Sequence, residues 1–494
     1  MRRQQPETHT VSRDHLTGVV ARQLDLGRRL ALVSGQEVAD GFEVVWVFLG
    51  GDGSRAEVTV RLEAGDPHLP TLAGLSYQAG RFERELHDML GLIADGHPQP
   101  FRLVRHAHWP AGYYPQRSDA ATPSFDADAG FPFVEVAGKG VYEIPVGPVH
   151  AGLIEPGHFR FSVVGETIVR MYQRLYFVHR GVEKLFVGRT VSDGITLAER
   201  ISGDTAVGHS LAYLMAVEDA LGIEISPQAA LTRALLLELE RLYNHVNDLG
   251  LLANDAGFGI ANAHAARLRE TLLRHNARLT GHRLLRGALS LGDARLLAAP
   301  EVGLVAGVAA EVAELAEIAT SHSLVANRFN TTAVLPTEQA ERLGVLGYVA
   351  RASGVAIDAR VDQPFVDLGP NFRVVTRTDG DVRARFDVRA EEVAVSAQLV
   401  ADLAARLDGL GTAEPRPSGR ITRTGAGLGV VEAWRGTLVH RVVLARGGTL
   451  ARVKVVDPSF LTWPGLPVAL NDVIVPDFPL ANKSFNCSYA GNDL

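Results

Sequence analysis

A chain of 494 residues is too long for one ordinary hydrophobic core and implies two or three domains. Hydrophobic residues at 46% and charged residues at 21% exclude a disordered chain, and a net charge of -7 gives no basic face of the kind a nucleic-acid binder needs. One cysteine, Cys487, excludes both an internal disulfide framework and a four-thiolate metal site.

The opening segment MRRQQPETHT lacks the apolar stretch of a secretory signal. Runs at 43–48 and 56–62 read as strands, and Phe82, Leu86, Met89, Leu90 and Ile93 recur at helical spacing, so residues 1–116 read as a small α+β domain. That spacing leaves Glu83, Arg84, Glu85, His87 and Asp88 for the outer face until Gly96, His97 and Pro98 break the helix. Glu85 and Asp88 are therefore expected at a docking surface. Residues 117–140 are rich in Ala, Asp, Ser, Gly and Pro without a lasting period and read as an interdomain linker.

Residues 141–494 open with β-like segments and become mainly helical. Ser226 is expected to cap a helix that has Pro227 at its first position, with Leu235, Leu239, Leu242, Val246 and Leu249 on one stripe and Gly250 at its end. A second helix, about 265 to 289, carries Arg267, Arg269, Arg274, Arg278, Arg283 and Arg286. A third runs through Leu304, Val308, Val312, Leu315 and Ile318, and a fourth through Val393, Val400, Leu403 and Leu407, which together suggest a helical bundle. Glu311, Glu314 and Glu317 make the third too polar to span a bilayer. Hairpins are expected at Asp379-Gly380 and at Gly447-Gly448. The chain reads as cytoplasmic, with any membrane contact made through partners.

The segment FERELHDMLGLIADGHP (82–98) resembles the 30-kDa, or C, subunit of NADH:quinone oxidoreductase, respiratory complex I. The segments IPVGPVHAGLIEPGHFRF (144–161), YFVHRGVEKLFVGRT (176–190), ERISGDTAVGHSLAYLMAVE (199–218), VEAWRGTLVHRVV (431–443), DPSFLTWPGL (457–466) and DFPLANKSFNCSYAGNDL (477–494) resemble its 49-kDa, or D, subunit and the large subunits of membrane-bound nickel-iron hydrogenases. Their fused order is that of the hydrogenase-4 and formate hydrogenlyase large subunits. The resemblance implies a multidomain fold: a small α+β N-terminal domain of the 30-kDa type, then, over 141–494, a mainly α-helical domain of the hydrogenase large-subunit or 49-kDa type with β-hairpin elements. It also implies an oxidoreductase complex held on the inner face of the cell membrane by partners. Those partners are an iron-sulfur small subunit carrying the nearest cluster, a ferredoxin-like subunit and antiporter-like membrane subunits.

In hydrogenases of this family two pairs of cysteines hold nickel and iron. The resemblance places those positions at Ser202 and Thr205, and at Ser488 and Gly491, with Cys487 displaced by one residue. A serine hydroxyl is a hard ligand with a pKa far above a thiol's, so a nickel-iron centre is not expected. The complex I alternative binds a quinone headgroup between a histidine and a tyrosine. His150 matches that histidine, but the tyrosine position falls on Gly203 and a second histidine on Ile154.

Glu155 matches the proton-relaying glutamate of hydrogenases, His209 a histidine of the metal cavity, and Arg435 the arginine over the metal's diatomic ligands, with Trp434 replacing a proline. Each has a plainer role open to it. His150 satisfies loop backbone; Glu155 pairs with Arg160; His209 is structural near a helix start; Arg435 pairs with Glu432 or another acid. His179, Arg180, Glu183 and Lys184 are expected as a charged helical cluster that positions neighbouring subunits or is simply solvated. Two functions stay open: a redox subunit whose altered cavity takes quinone or another acceptor, and a non-catalytic scaffold that couples partner subunits and proton movement. An active hydrogen-evolving hydrogenase is the third, weakened by the missing thiolates.

Overall fold

The computed structural model describes residues 6–125, 131, 133–150, 154–410 and 423–494. Part of the N-terminal segment, residues 126–130 and 132 of the expected linker, and 151–153 of the expected cavity loop lie outside them.

The first region is built on a four-stranded sheet in the spatial order Glu7–Thr10, Arg55–Glu63, Gly41–Leu49, Arg29–Val38. Gly41–Leu49 is almost continuously apolar and buried, as a central strand covered on both faces must be, whereas Arg55–Glu63 alternates inward and outward residues. The helix Arg13–Asp25 packs on Arg55–Glu63, and Tyr77–Leu90 packs on Arg29–Val38. Ser76 caps the latter helix through Ala79 N, and Gly91 ends it at φ 78, five residues before the expected break. Ile93 belongs to a short strand, Ile93–Asp95.

The outer face expected of this helix is not solvated. Asp88 is fully buried and accepts from the amides of Leu103 (2.7 Å), Val104 (2.7 Å) and Arg105 (3.2 Å), and buried Glu83 accepts from Leu72 N at 2.6 Å. These carboxylates satisfy a folded-back loop, which a helical wheel cannot reveal. Glu85 reaches Lys454 of the second region, and Glu183 takes Lys454 at 3.1 Å and Arg452 at 2.8 Å. Arg452 also donates to Gly35 O (3.1 Å), and Phe82 stacks on Phe460 at 4.9 Å. The expected docking surface is thus the seam between this chain's own two regions.

The cluster at 179–184 is also tied to its own chain, although Arg180 and Lys184 stay exposed. His179 meets Asp493 O (2.7 Å), Arg180 donates to Ile201 O (2.7 Å), and Lys184 donates to Arg117 O (2.8 Å). The exposed arginines Arg267, Arg274, Arg278 and Arg283 are paired with Glu311, Glu270, Glu301 and Glu270 of the same chain.

In the second region, strands Val141–Val146, His158–Val164 and Thr167–Arg174 form one antiparallel sheet, and Gly425–Ala433, Gly436–Leu444 and Leu450–Val456 another. The hairpin at Gly447-Gly448 is present, joining the last two strands. The one expected at Asp379-Gly380 is not. Gly380, at φ 65, instead turns the chain into the helix Val382–Asp408, whose N-cap Asp381 accepts from Ala384 N at 2.7 Å. A glycine before an acidic residue serves a helix start as well as a hairpin.

Ser226 and Pro227 open the helix Pro227–Asp255 as expected, but it continues past Gly250. A Cβ at Gly250 would lie 2.5 Å from Ala265 Cβ, so this glycine lets the neighbouring helix Gly259–Thr280 approach closely. That second helix ends at Gly281, φ 85, well short of Leu289. Val382–Asp408 packs against Pro227–Asp255 and Val302–Ser321, completing the bundle.

The helix Ala206–Leu221 lies directly on the strand Gly425–Ala433. The carbonyls of Ala220, Ala216 and Ala212 sit where Cβ atoms on Gly425, Gly427 and Gly429 would be, at 2.8, 2.2 and 1.9 Å. Four helical residues rise about 6 Å and two strand residues about 6.6 Å, so the alanine and glycine stripes stay in step along the contact.

Candidate functional site

Three backbone pieces meet at the residues singled out from the sequence. The turn before Ala206–Leu221 brings Ser202 and Thr205, the hairpin turn of Ala433 and Gly436 brings Trp434 and Arg435, and the tail after Phe478–Phe485 brings Cys487, Ser488 and Gly491. Asn486, at φ 40, redirects the chain so that Ser488 starts the last helix, its hydroxyl accepting from Gly491 N at 2.9 Å.

At the centre is an acid not anticipated from the sequence. Asp204 takes Arg435 through both terminal nitrogens, at 2.8 and 2.7 Å, while Arg435 Nε donates to Asn486 O at 2.6 Å. The hydroxyls of Ser202 and Thr205 donate to Asp204 Oδ1 at 2.8 and 3.0 Å. Its backbone carbonyl accepts from Trp434 Nε1 (3.0 Å) and Asn244 Nδ2 (2.8 Å). Burial opposes the charge on Asp204, yet Arg435 and the two hydroxyls outweigh it and hold the carboxyl down at about 2. The indole N–H of Trp434 also reaches Thr205 Oγ1 at 3.1 Å, a donation proline cannot make. An acid between two hydroxyl residues three apart, with an arginine seeking a partner elsewhere, was the available signal.

The pairs Ser202/Thr205 and Ser488/Gly491 face each other across this centre, Ser202 Oγ lying 2.9 Å from Ser488 Oγ. Ser202, Thr205 and Ser488 are all buried, and Gly491 offers no side-chain donor. The missing Cβ of Gly491 leaves room for Asp457, whose Oδ2 would lie 2.4 Å from it. Asp457 meets His209 Nε2 at 3.2 Å, and His209 Nδ1 meets His440 Nε2 at 3.1 Å, so both nitrogens of His209 are engaged in a buried chain behind the ion pair. Cys487 is buried, and burial pushes its thiol well up, away from the thiolate form.

Glu155 and His150 stand at the rim. Glu155 is exposed and accepts from Ala490 N at 3.0 Å, so it is tied to the tail and not hydrogen-bonded to Arg160. His150 Nε2 donates to Gly157 O at 2.8 Å, on its own loop. Arg435 pairs with Asp204 and not with Glu432, which is held by Arg351 on the far side of the same hairpin. The structure therefore joins Arg435 to Thr205 directly and to Ser202 through Asp204, His209 to Gly491 through Asp457, and Glu155 to the tail. His150 contacts none of them by hydrogen bond among the described residues.

Beneath the turn lies a second unforeseen carboxyl. Glu240 is fully buried and accepts from Val207 N (2.7 Å) and Gly208 N (2.9 Å), closing the first turn of Ala206–Leu221. Burial pushes its carboxyl up to about 8 despite those two donors.

The two-part order of the chain is that of the fused large subunits of complex I-like and hydrogenase-like complexes, as its matches to known proteins show. Residues 9–126 match the family described as respiratory-chain NADH dehydrogenase, 30 Kd subunit, and 255–426 match its 49 Kd subunit. Residues 180–250 match nickel-dependent hydrogenase. The chain is 34% identical to formate hydrogenlyase subunit 5 of Escherichia coli over 92% of this chain and 82% of that one. It is also 34% identical to hydrogenase-4 component G of the same organism, over 83% and 73%. This chain belongs to the family of those two proteins and is homologous to the fused C/D subunits of NADH-quinone oxidoreductase, such as that of Phocaeicola vulgatus, 28% identical over 68% and 70%. Among solved structures it is similar to a chain of the membrane-bound sulfane sulfur reductase, an archaeal respiratory membrane complex. The TM-score is 0.65 at 25% identity, covering 72% of this chain and 99% of that one. No helix among the described residues is long and apolar enough to cross a membrane.

Proposed function

We propose that this chain is the large subunit of a membrane-associated, complex I-like oxidoreductase, in which it couples partner subunits without holding a nickel-iron centre. The observation that carries this is the Asp204–Arg435 pair, nested in the hydroxyls of Ser202 and Thr205, with Ser202 hydrogen-bonded to Ser488. A nickel-iron site needs several soft anionic donors converging on one point. Here three hydroxyls and a glycine stand at those positions, and each hydroxyl is already committed to a protein partner. The group does not fit. No set of three or more His, Cys, Asp or Glu able to hold a metal occurs among the described residues.

The relatives support a complex I-like membrane assembly, with this chain peripheral to the membrane; the partners proposed within it are an iron-sulfur small subunit, a ferredoxin-like subunit and antiporter-like membrane subunits. The sulfane-sulfur chemistry of the solved neighbour finds no nucleophile in the buried, protonated Cys487.

A second reading, a cavity for quinone or another acceptor, is favoured by the rim. Val149 and Ile154 are exposed apolar residues adjacent in the chain to His150 and Glu155 respectively, so the rim offers both polar and apolar groups to a headgroup and its tail. The test is metal analysis and infrared spectroscopy of the purified complex, followed by binding of a quinone analogue with and without His150→Ala. Absence of stoichiometric nickel and of analogue binding, with partners that co-purify only when this chain is present, is the expected result. Iron-bound carbonyl and cyanide bands would overturn it, and analogue binding lost in His150→Ala would establish the second reading instead.

A further inference from the structure

Away from this site, a buried ion network fills the space between the helical bundle and the hairpin strand Gly425–Ala433. Arg351 is its hub. Its Nη1 donates to Glu432 at 2.7 Å and lies 3.4 Å from Asp358, and its Nε donates to Glu392 at 2.9 Å. Arg360 holds Asp358 at 2.7 Å and Glu238 at 3.2 Å, and Arg241 holds Glu238 at 3.1 Å. Arg29 and Asp362 face the cluster from the first region's sheet and the helix Ala359–Asp362. His245 meets Glu392 at 2.7 Å.

The charges do not balance. Arg29 and Asp362, both only partly buried, attract each other at the edge; inside them three guanidinium groups (Arg241, Arg351, Arg360) stand against four buried carboxyls (Glu238, Asp358, Glu392, Glu432), which leaves one negative charge without a partner. The nearby Arg389–Asp248 pair, at 3.2 Å, is neutral and changes nothing. An unmatched charge buried this deeply takes up a proton.

Its address follows from the contacts. His245 uses Nε2 toward Glu392, and its buried Nδ1 has no hydrogen-bond partner, so a proton there would leave an orphaned N–H. Asp358 and Glu238 each have two guanidinium partners, and Glu392 has Arg351 and His245. Glu432 is in hydrogen-bond contact with one shared cation, Arg351, and is attracted by Arg29 and Arg360 only at longer range. Its other contacts are neutral: Ala359 N at 3.0 Å and the Thr437 hydroxyl at 2.9 Å, both on Oε2. A hydroxyl can turn from donor to acceptor, so Thr437 can receive a proton carried on Oε2.

We infer that this network is a one-proton store, with the proton held by Glu432 at neutral pH. Burial and the neighbouring Asp358 both raise the Glu432 carboxyl above its ordinary range, in keeping with that assignment. The site stands three residues from Arg435, on the opposite side of the Ala433 to Gly436 turn, and Arg241 binds the carbonyls of both Glu432 and Ala433. A buried exchangeable proton therefore lies one turn away from the ion pair at the former metal position.

The experiment is infrared spectroscopy of the full chain at neutral pH, in water and in heavy water, comparing wild type with Glu432→Gln, and with Glu240→Gln to account for a carboxyl that burial raises to about 8. The expected result is loss of one neutral carboxylic-acid carbonyl band in Glu432→Gln, a band that shifts on deuteration and survives in Glu240→Gln. Because glutamine mimics a protonated glutamate, Glu432→Gln should also unfold at the wild-type temperature, whereas Asp358→Asn, which removes a matched charge, should unfold lower. Loss of carboxylate bands in place of the acid band overturns the assignment. So does failure of Glu432→Gln to fold, since a side chain that is neutral in the native state tolerates a neutral replacement.

Discussion

Arg435 and Asp204 meet through two parallel hydrogen bonds, 2.8 and 2.7 Å long, at the point where the tail, the hairpin turn and the start of Ala206–Leu221 converge. Bidentate geometry makes this the strongest single polar contact of the site. Arg435 is 7% exposed and Asp204 37%, so the pair is only half withdrawn from water. Removing one partner should cost less than the roughly 3–5 kcal/mol of a fully buried pair, about 2 kcal/mol. Denaturant unfolding of Asp204→Asn, Arg435→Met and the double variant measures it. The two single losses should exceed the double loss when summed; strict additivity would mean the pair contributes no coupling.

The same carboxyl predicts an acid limb. Because Asp204 is held at about 2, below the unfolded value near 4, its contribution is present above pH 4 and is lost as pH falls from about 4 to 2. Asp204→Asn should flatten the wild-type stability curve in that window and, above it, lower stability by a constant amount without changing the slope. Thermal midpoints taken across the range are sufficient.

Glu240 has the opposite sign. Its folded pKa, about 8, lies above the unfolded value near 4.3, so its contribution is complete below about pH 4 and is lost as pH rises through 8. Glu240→Gln should reduce the downward slope of stability between those limits. An unchanged slope would show that Glu240 is ionised throughout.

Much of the frame could be read from residue order. The strands of the first domain, the Ser226-Pro227 start and the Gly447-Gly448 hairpin follow from alternation, capping and turn chemistry, all local effects. What could not be read is which acids face inward. Asp88 and Glu183 look like solvated helix charges until the loop at 103–105 and the strand carrying Arg452 and Lys454 close over them, contacts made across 15 to 272 residues of chain. Asp204 was hidden in the same way. Arg435 pairs with it and not with Glu432 three residues away in the chain, because Glu432 is claimed by Arg351.

The seam between the two regions gives a fourth prediction. Burial opposes the charge on Glu183, yet Arg452 and Lys454 hold it down at about 2, and Lys454 is 4% exposed. Lys454→Met would leave Glu85 and Glu183 short of a cation and should cost about 3–5 kcal/mol. Limited proteolysis should then cut within 117–140 sooner than in wild type. Unaltered cleavage would show that the seam is held by its apolar contacts alone.

A fifth concerns the helix-on-strand contact. A Cβ at Gly429 would sit 1.9 Å from Ala212 O, a backbone atom that cannot turn aside, so Gly429→Ala should destabilise by more than about 4 kcal/mol. Gly307→Ala, where nothing lies within 4 Å of the added atom, is the matched control and should leave stability unchanged or raised.

That interlocked contact also governs how the site can open. Asp204 rides on the leading end of Ala206–Leu221 and Arg435 on the far end of Gly425–Ala433, and these two elements are keyed together carbonyl by carbonyl. Asn486 O and the Ser488 hydroxyl tie the tail to the same unit, so a change that loosens the helix from the strand would be felt at the Asp204–Arg435 pair and at the tail together.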